Sequence, residues 1–263
     1  MTSWFSEPGS TLRGLPRPLP LCAGVTVLFT DRAGGVSSDP FRTLNLSDRV
    51  GDDPSAVASN RKRVLRAIAP GAHRLAWMHQ VHGADVVYVS GSAAPQDGWP
   101  ADTSPQADAA YTDSPGVALG VLAADCAPVL VADPVAGIAG AAHAGRPGMA
   151  AGVVPALIAA MAAAGAEVGR MHAIVGPSIC GRCYEVPASM RAEVAAAVPG
   201  SACTTRAGTP GIDVRAGLHG QLAGLGVARV VDDLRCTAES AELFSYRRDG
   251  TTGRFAGLIW LGQ

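Results

Sequence analysis

Residues 117–145 read Val117-Ala118-Leu119-Gly120-Val121-Leu122-Ala123-Ala124-Asp125-Cys126-Ala127-Pro128-Val129-Leu130-Val131-Ala132-Asp133-Pro134-Val135-Ala136-Gly137-Ile138-Ala139-Gly140-Ala141-Ala142-His143-Ala144-Gly145. Three short apolar runs, Val117–Ala123, Val129–Val131 and Gly137–Ala142, are separated only by turns of small residues. Runs of this length suit strands buried on both faces. Their connections have the length of hairpins, whereas a parallel crossover needs a dozen residues or more. The pattern therefore favours α+β with mixed sheets over a regular alternation of strand and helix.

Working outward, Gly24–Thr30 reads as a strand that runs into the Gly-rich turn Arg32-Ala33-Gly34-Gly35-Val36-Ser37. Asp53 followed by Pro54 is a cap and first-turn pair, opening a helix to about Ile68 that carries Arg61, Lys62, Arg63 and Arg66 outward. Strand-like runs follow at Leu75–His79 and Asp85–Val89, then a Pro/Gly/Asp-rich loop over about 91–106. Further along lie an Ala-rich helix, a strand at Met171–Val175, helical patterns at Ala188–Val198 and Val214–Leu225, and a closing strand, Arg254–Leu261. No repeat, coiled coil or linker interrupts the chain. One domain spanning 1–263 is expected, with the proline-studded residues 1–22 as a loosely packed lead-in.

The 263 residues include 48 alanines and 32 glycines, only 16% charged and 5% aromatic residues. That is too apolar for disorder, and glycine has no three-residue period. The formal net charge of −1 offers no basic field for nucleic acid. The uncharged stretch Pro147–Ala166 sets Val153, Val154, Leu157, Ile158 and Met161 on one helical stripe, which fits a helix packed on a core better than a membrane span. Residues 1–9 lack the features of a secretory signal. Six cysteines are too few for a disulfide scaffold. A cytoplasmic protein with reduced thiols, binding neither nucleic acid nor membrane, is expected.

Three potential metal ligands sit at strand ends beside small residues: His82 in His79-Gln80-Val81-His82-Gly83, Cys126 after Asp125, and His143 before Ala144-Gly145. Two imidazoles and one thiolate leave a fourth position open, the pattern of a catalytic zinc. Cys180-Gly181-Arg182-Cys183 is a lone CxxC pair without the second pair of a zinc ribbon, and it reads as two ordinary thiols. The nearby loop Gly176-Pro177-Ser178-Ile179 remains a candidate lining. Arg247, Arg248 and Arg254 crowd one turn, and Arg32 lies in the Gly-rich one; guanidinium forks suit phosphate or carboxylate. No His-x-Glu with Pro-Cys-x-x-Cys is present, nor a P-loop, nor any His-x-His pair of the multicopper type.

Taken together, these motifs closely resemble the YfiH-like, or laccase-domain, family. The resemblance runs from Phe29 to the C-terminus through Arg32–Ser37, Leu44-Asn45-Leu46, Val50-Gly51-Asp52-Asp53, Asn60-Arg61, Gln80-Val81-His82-Gly83 and Ala124-Asp125-Cys126-Ala127-Pro128. It continues in Ala142-His143-Ala144-Gly145, Gly176–Ile179, Cys183-Tyr184-Glu185-Val186, Cys236-Thr237 and Phe244–Gly250 with Gly253-Arg254. It implies a single α+β domain with αββα-type layers, similar to the CNF/YfiH-like fold. The family's zinc ligands fall on His82, Cys126 and His143. The resemblance also implies purine nucleoside phosphorylase activity, with adenosine deaminase and methylthioadenosine phosphorylase side activities. On this reading Arg32, Asn45, His79 and Arg247 contact nucleoside or phosphate, and Asp125 orients the ligands from behind. In one departure, Arg146-Pro147-Gly148 stands where the family usually has an aromatic and then a basic residue before glycine.

Three other readings accompany that expectation. A polyphenol oxidase would hold copper on the same donors, since thiolate also suits Cu(I). A hydrolase would use Cys126 as nucleophile and His143 as base, without metal. A peptidoglycan-editing or quality-control protein would bind nucleosides without turning them over.

Overall fold

The computed structural model describes residues 15–92 and 104–262. Its elements begin with strands β1 (Leu19–Cys22) and β2 (Val25–Phe29), helix α1 (Pro54–Ile68), and strands β3 (Arg74–Trp77), β4 (Val86–Tyr88) and β5 (Ala109–Thr112). The central block is β6 (Val117–Ala123), β7 (Ala127–Asp133) and β8 (Ile138–Ala144), followed by α2 (Arg146–Ala151), α3 (Val153–Ala163) and β9 (His172–Val175). Helix α4 (Ala188–Ala197), strands β10 (Ala202–Thr204) and β11 (Pro210–Ile212), α5 (Val214–Leu225), β12 (Arg229–Asp232), α6 (Tyr246–Asp249) and β13 (Phe255–Leu261) complete the chain.

The central runs are strands, and β7 and β8 form an antiparallel hairpin in which Pro128 faces His143. Both major sheets are mixed. One has the order β1-β2-β13-β6-β3 and the other β12-β9-β7-β8-β5-β4, while β10 and β11 form a separate ribbon. Because successive strand residues point to opposite faces, an apolar run with no polar alternation requires cover on both sides. Strand β7 shows this: Val129 and Val131 join a core with the helical residues Leu157, Met161 and Leu218. Leu130 and Ala132 face Val27, Leu119 and Ile259 of the other sheet. A third cluster packs Val64 and Ile68 of α1 beneath Leu28, Trp77 and Leu258. The result is helix, sheet, sheet, helix, as expected. Each fully buried Leu, Ile or Val contributes about 1.5–3 kcal/mol by leaving water.

The alanine and glycine content has a packing consequence. A Cβ on Gly257 would lie 2.6 Å from Pro128 Cβ across the two sheets, and one on Gly140 would lie 2.7 Å from Met161 Sδ. The layers approach too closely there for any side chain.

Helix α1 starts as anticipated, with Asp53 accepting a hydrogen bond from Ser55 N at 2.9 Å and Pro54 at its first position. Several expectations are corrected. The lead-in does not extend to residue 22: Leu15 is buried, and Leu19–Cys22 pair with β2 as an edge strand. Residues 1–14 lie outside the described residues, as do 93–103 of the long loop. The Ala-rich stretch is two helices, because Gly152 at φ +82° ends α2 and begins α3. Arg61 is not turned outward; it pairs with Asp48 at 3.2 Å and lies over Trp77. Among the described residues no helix is long and apolar enough to cross a membrane.

Candidate metal centre and its cavity

The hairpin register brings the donors together. Cys126 sits in the turn before β7 and His143 next to the end of β8, so their backbones are neighbours at one end of the six-stranded sheet. His82 arrives from the loop after β3. The ligand atoms of His82, Cys126 and His143 lie within 4.8 Å of one another, with Cys126 Sγ 3.8 Å from His82 Nε2. The two imidazole rings meet edge to face, with centroids 4.8 Å apart.

Asp108 organises this cluster, and the sequence reading missed it. The residue is fully buried just before β5, and its Oδ1 accepts from His143 Nδ1 at 2.9 Å. Its two oxygens also accept the backbone N–H groups of Val81, His82 and Gly83 at 2.7–3.0 Å. The bond at Nδ1 leaves His143 Nε2 to face the cluster, as in the carboxylate–histidine pairs that fix a metal ligand's tautomer. The three N–H bonds hold His82 at φ 63°, a left-handed conformation uncommon for a residue with a Cβ. A carboxylate inside an otherwise apolar Ala107-Asp108-Ala109-Ala110 run was the available sequence signal.

The electrostatics of the cluster follow from its contacts. Burial raises the Asp108 pKa, but hydrogen bonds from His143, Gly83 and Val81 outweigh it and hold the carboxyl below its usual value. Burial also works against a Cys126 thiolate, yet the charge of His143 and the hydrogen bonds of both imidazoles draw the thiol down to about 6. The same interactions, with Asp108 behind, overcome burial and raise His143 to about 9. Two imidazoles and an acidic thiol converging on one point, one imidazole locked from behind by a carboxylate, are a fitting donor set for a borderline-soft divalent ion.

The cluster lies in a cavity of about 670 Å³ whose walls include Arg49, Arg61, Arg146, Tyr184, Tyr246, Arg247 and Arg254. That volume is within the range of small-molecule sites. Arg247 stacks over the Tyr184 ring at 5.2 Å. The Arg254 guanidinium donates to the carbonyls of Thr252 and Gly253, and burial lowers its pKa against the pull of Cys126 and Asp125. Arg146, the residue standing in the departed motif, also lines the cavity.

The remaining expected contacts divide. Arg247 and Asp125 line the cavity; Arg32, Asn45 and His79 do not. Arg32 lies over Phe244 and 3.9 Å from Asp249. Asn45 is fully buried, bonded to Ser47, Asp52 and the N–H of Arg254, so it holds loops rather than ligand. His79 is tied through its backbone to Pro105 and Ala107. The Asp125 carboxylate turns away from His82, Cys126 and His143 to other partners. It accepts from Thr237 Oγ1, Ser245 Oγ and Arg247 N at 2.6–2.7 Å, anchoring the C-terminal loop to the turn before Cys126.

Residues 26–262 match the family model described as "Multi-copper polyphenol oxidoreductase laccase". The chain belongs to this laccase-domain family. A relative from Streptomyces griseus named purine nucleoside phosphorylase ORF3 is 54% identical over 246 residues, covering 93% of this chain and 98% of that protein. The crystal structure of YlmD from Geobacillus stearothermophilus superposes with a TM-score of 0.88 at 32% identity, covering 97% of this chain and 98% of that one. YfiH from Bacillus licheniformis gives 0.83 at 30% identity, covering 90% and 92%. The laccase-domain fold thus accounts for the whole mixed α+β architecture around the cavity.

Proposed function

We propose that this laccase-domain protein is a purine nucleoside phosphorylase, acting on adenosine-, inosine- and guanosine-type nucleosides, with adenosine deaminase and methylthioadenosine phosphorylase side activities at one mononuclear zinc site held by His82, Cys126 and His143. The observation that carries the reading is the coexistence, in one cavity, of that donor set with the guanidinium groups of Arg146, Arg247 and Arg254. The names of relatives such as the Streptomyces griseus protein support the same activity.

Phosphorolysis breaks the bond between C1′ and the purine nitrogen, forms a bond from C1′ to a phosphate oxygen, and delivers a proton to the departing base. Arginine forks anchor the phosphate and hold its oxygen towards C1′. Tyr184 and Tyr246 offer aromatic surface to the base, and the wall formed by Leu122, Ala123 and Ala124 limits water around it. A divalent ion held by His82, Cys126 and His143 would supply the Lewis acidity that deamination at purine C6 requires. Asp108, bonded to His143 Nδ1, leaves Nε2 as the nitrogen that would hold such an ion.

Incubation with adenosine, with and without phosphate, followed by chromatography tests the proposal. Adenine that forms only with phosphate shows phosphorolysis, and inosine formed without it shows deamination. Absence of both products under either condition overturns it. Elemental analysis after purification without added metal is expected to find zinc; copper together with phenol oxidation would support the oxidase instead.

A further inference from the structure

The CxxC segment has a partner that the sequence reading did not find. The ligand atoms of Cys180, Cys183, Cys236 and Glu239 lie within 4.8 Å of one another, although Cys180 and Cys236 are 56 residues apart. This cluster shares no residue with the His82–Cys126–His143 set. The cysteines are not in disulfides; Cys236 is buried, and Cys180 and Cys183 are half-buried.

We propose that Cys180, Cys183, Cys236 and Glu239 form a second, structural metal site for zinc or a similarly thiophilic divalent ion. Three thiolates and a carboxylate are a soft-weighted set that disfavours Mg²⁺ and Ca²⁺. Tetrahedral zinc at about 2.3 Å from sulfur places sulfurs about 3.8 Å apart, so ligand atoms within 4.8 Å need only a small contraction.

The frame around the cluster is already built. Cys183 N and Tyr184 N both donate to Cys180 O at 2.9 and 3.0 Å, closing the CxxC turn. Cys180 N–H points at Cys236 Sγ at 3.4 Å, and an amide aimed at sulfur favours its thiolate. Glu239 Oε1 accepts from Cys183 Sγ at 3.4 Å and pairs with Arg206, fixing the carboxylate against the thiols. Backbone pairing between Ser178 and Cys236 aligns the two segments independently of any ion.

The position gives the site a role. Cys183 is followed by Tyr184, which lies beneath Arg247 in the cavity wall. Cys236 is followed by Thr237, whose hydroxyl donates to Asp125 and whose carbonyl accepts from Arg248. An ion bridging the two segments therefore clamps the wall facing the pocket donors.

The test uses the full chain, purified under reducing conditions and analysed for bound zinc. Two equivalents are expected in the parent protein and one in Cys126→Ser, whose remaining equivalent, exchanged for Co²⁺, shows thiolate-to-cobalt charge transfer. Cys180→Ser/Cys183→Ser is expected to lose that equivalent, and the exposed Glu239→Gln to alter the cobalt spectrum with the fold intact by circular dichroism. A measurement needing no variant accompanies these: a mercurial titrating the parent protein's thiols should release two zinc ions to a chromogenic chelator. Cys126→Ser without thiolate-bound cobalt overturns the proposal, as does an intact mass of the parent protein lacking two hydrogens through a disulfide among the three cysteines.

Discussion

The carboxylate of Asp108 accepts four hydrogen bonds, one from the His143 imidazole and three from the backbone that presents His82. Asp108→Asn replaces one acceptor oxygen by an amide that opposes those N–H donors. Metal affinity is expected to fall about 10–100-fold, the usual cost of removing the group behind a ligand histidine. Competition against a chromogenic chelator measures it, and an unchanged affinity would show that His143 is oriented by something else. A second contrast separates arginines by position. Arg254→Ala is expected to raise the phosphate KM about 10–100-fold, the equivalent of one lost charge-assisted bond. Arg32→Ala is expected to leave it unchanged, because Arg32 packs on Phe244 outside the cavity. Equal effects from the two would overturn the assignment of Arg254 to the anion. That His82, Cys126 and His143 could come together was legible because each lies near a strand end beside small residues. Asp108 was not, because its importance comes from the pairing of β5 with β8, which brings it to His143 across 35 residues of chain.

The elements show the same division. Strands β6, β7, β8 and β13 have seven residues each and bury nearly every side chain, so their apolar runs announced them. Strands β5, β10, β11 and β12 have three or four residues and no strong apolar pattern of their own; neighbouring strands decide their conformation. The helix break at Gly152 was also hidden, since an Ala-rich sequence reads as continuous. The close meeting of β8 with the donor loops gives a prediction at Gly145. Its backbone is extended at φ −77° and accepts any residue, but a Cβ would stand 2.6 Å from Cys126 Sγ and 3.1 Å from His82 Cδ2. Gly145→Ala is therefore expected to displace the donors, with far-UV circular dichroism retained and pocket-bound metal lost. Overpacking of this kind costs about 1–3 kcal/mol, too little to unfold a domain of this size. Full metal content in the variant would mean that the Cys126 side chain yields without leaving the site.

The layered architecture was readable from element types, but the strand order was not. The last strand, β13, lies between β2 and β6, a pairing set by contacts between chain ends rather than by any local pattern. Acid stability follows from carboxyls whose charge the fold holds, and Asp133 is the clearest. It closes β7 and is fully buried, with its carboxylate bonded to Arg170 and to the N–H groups of Val135, Ala136 and Glu167. Burial disfavours its charge, but these donors outweigh burial and hold the group far below the usual carboxylate range. A carboxyl depressed by folding contributes stability that is fully present above its unfolded pKa of about 3.9 and is lost as pH falls from there through the folded value. Asp133→Asn leaves Arg170 paired with Glu167 alone and removes the charge that Arg170 and three N–H groups hold, and it is expected to cost about 2 kcal/mol at pH 7, the scale of hydrogen bonds to a charged group. Urea unfolding of both proteins between pH 7 and pH 2 measures the difference. It should be constant down to about pH 4 and narrow below it, as protons bind the unfolded parent chain in preference to the folded one. A difference that stayed constant across the whole range would mean that Asp133 stabilises the fold through shape and neutral hydrogen bonding, not through its charge.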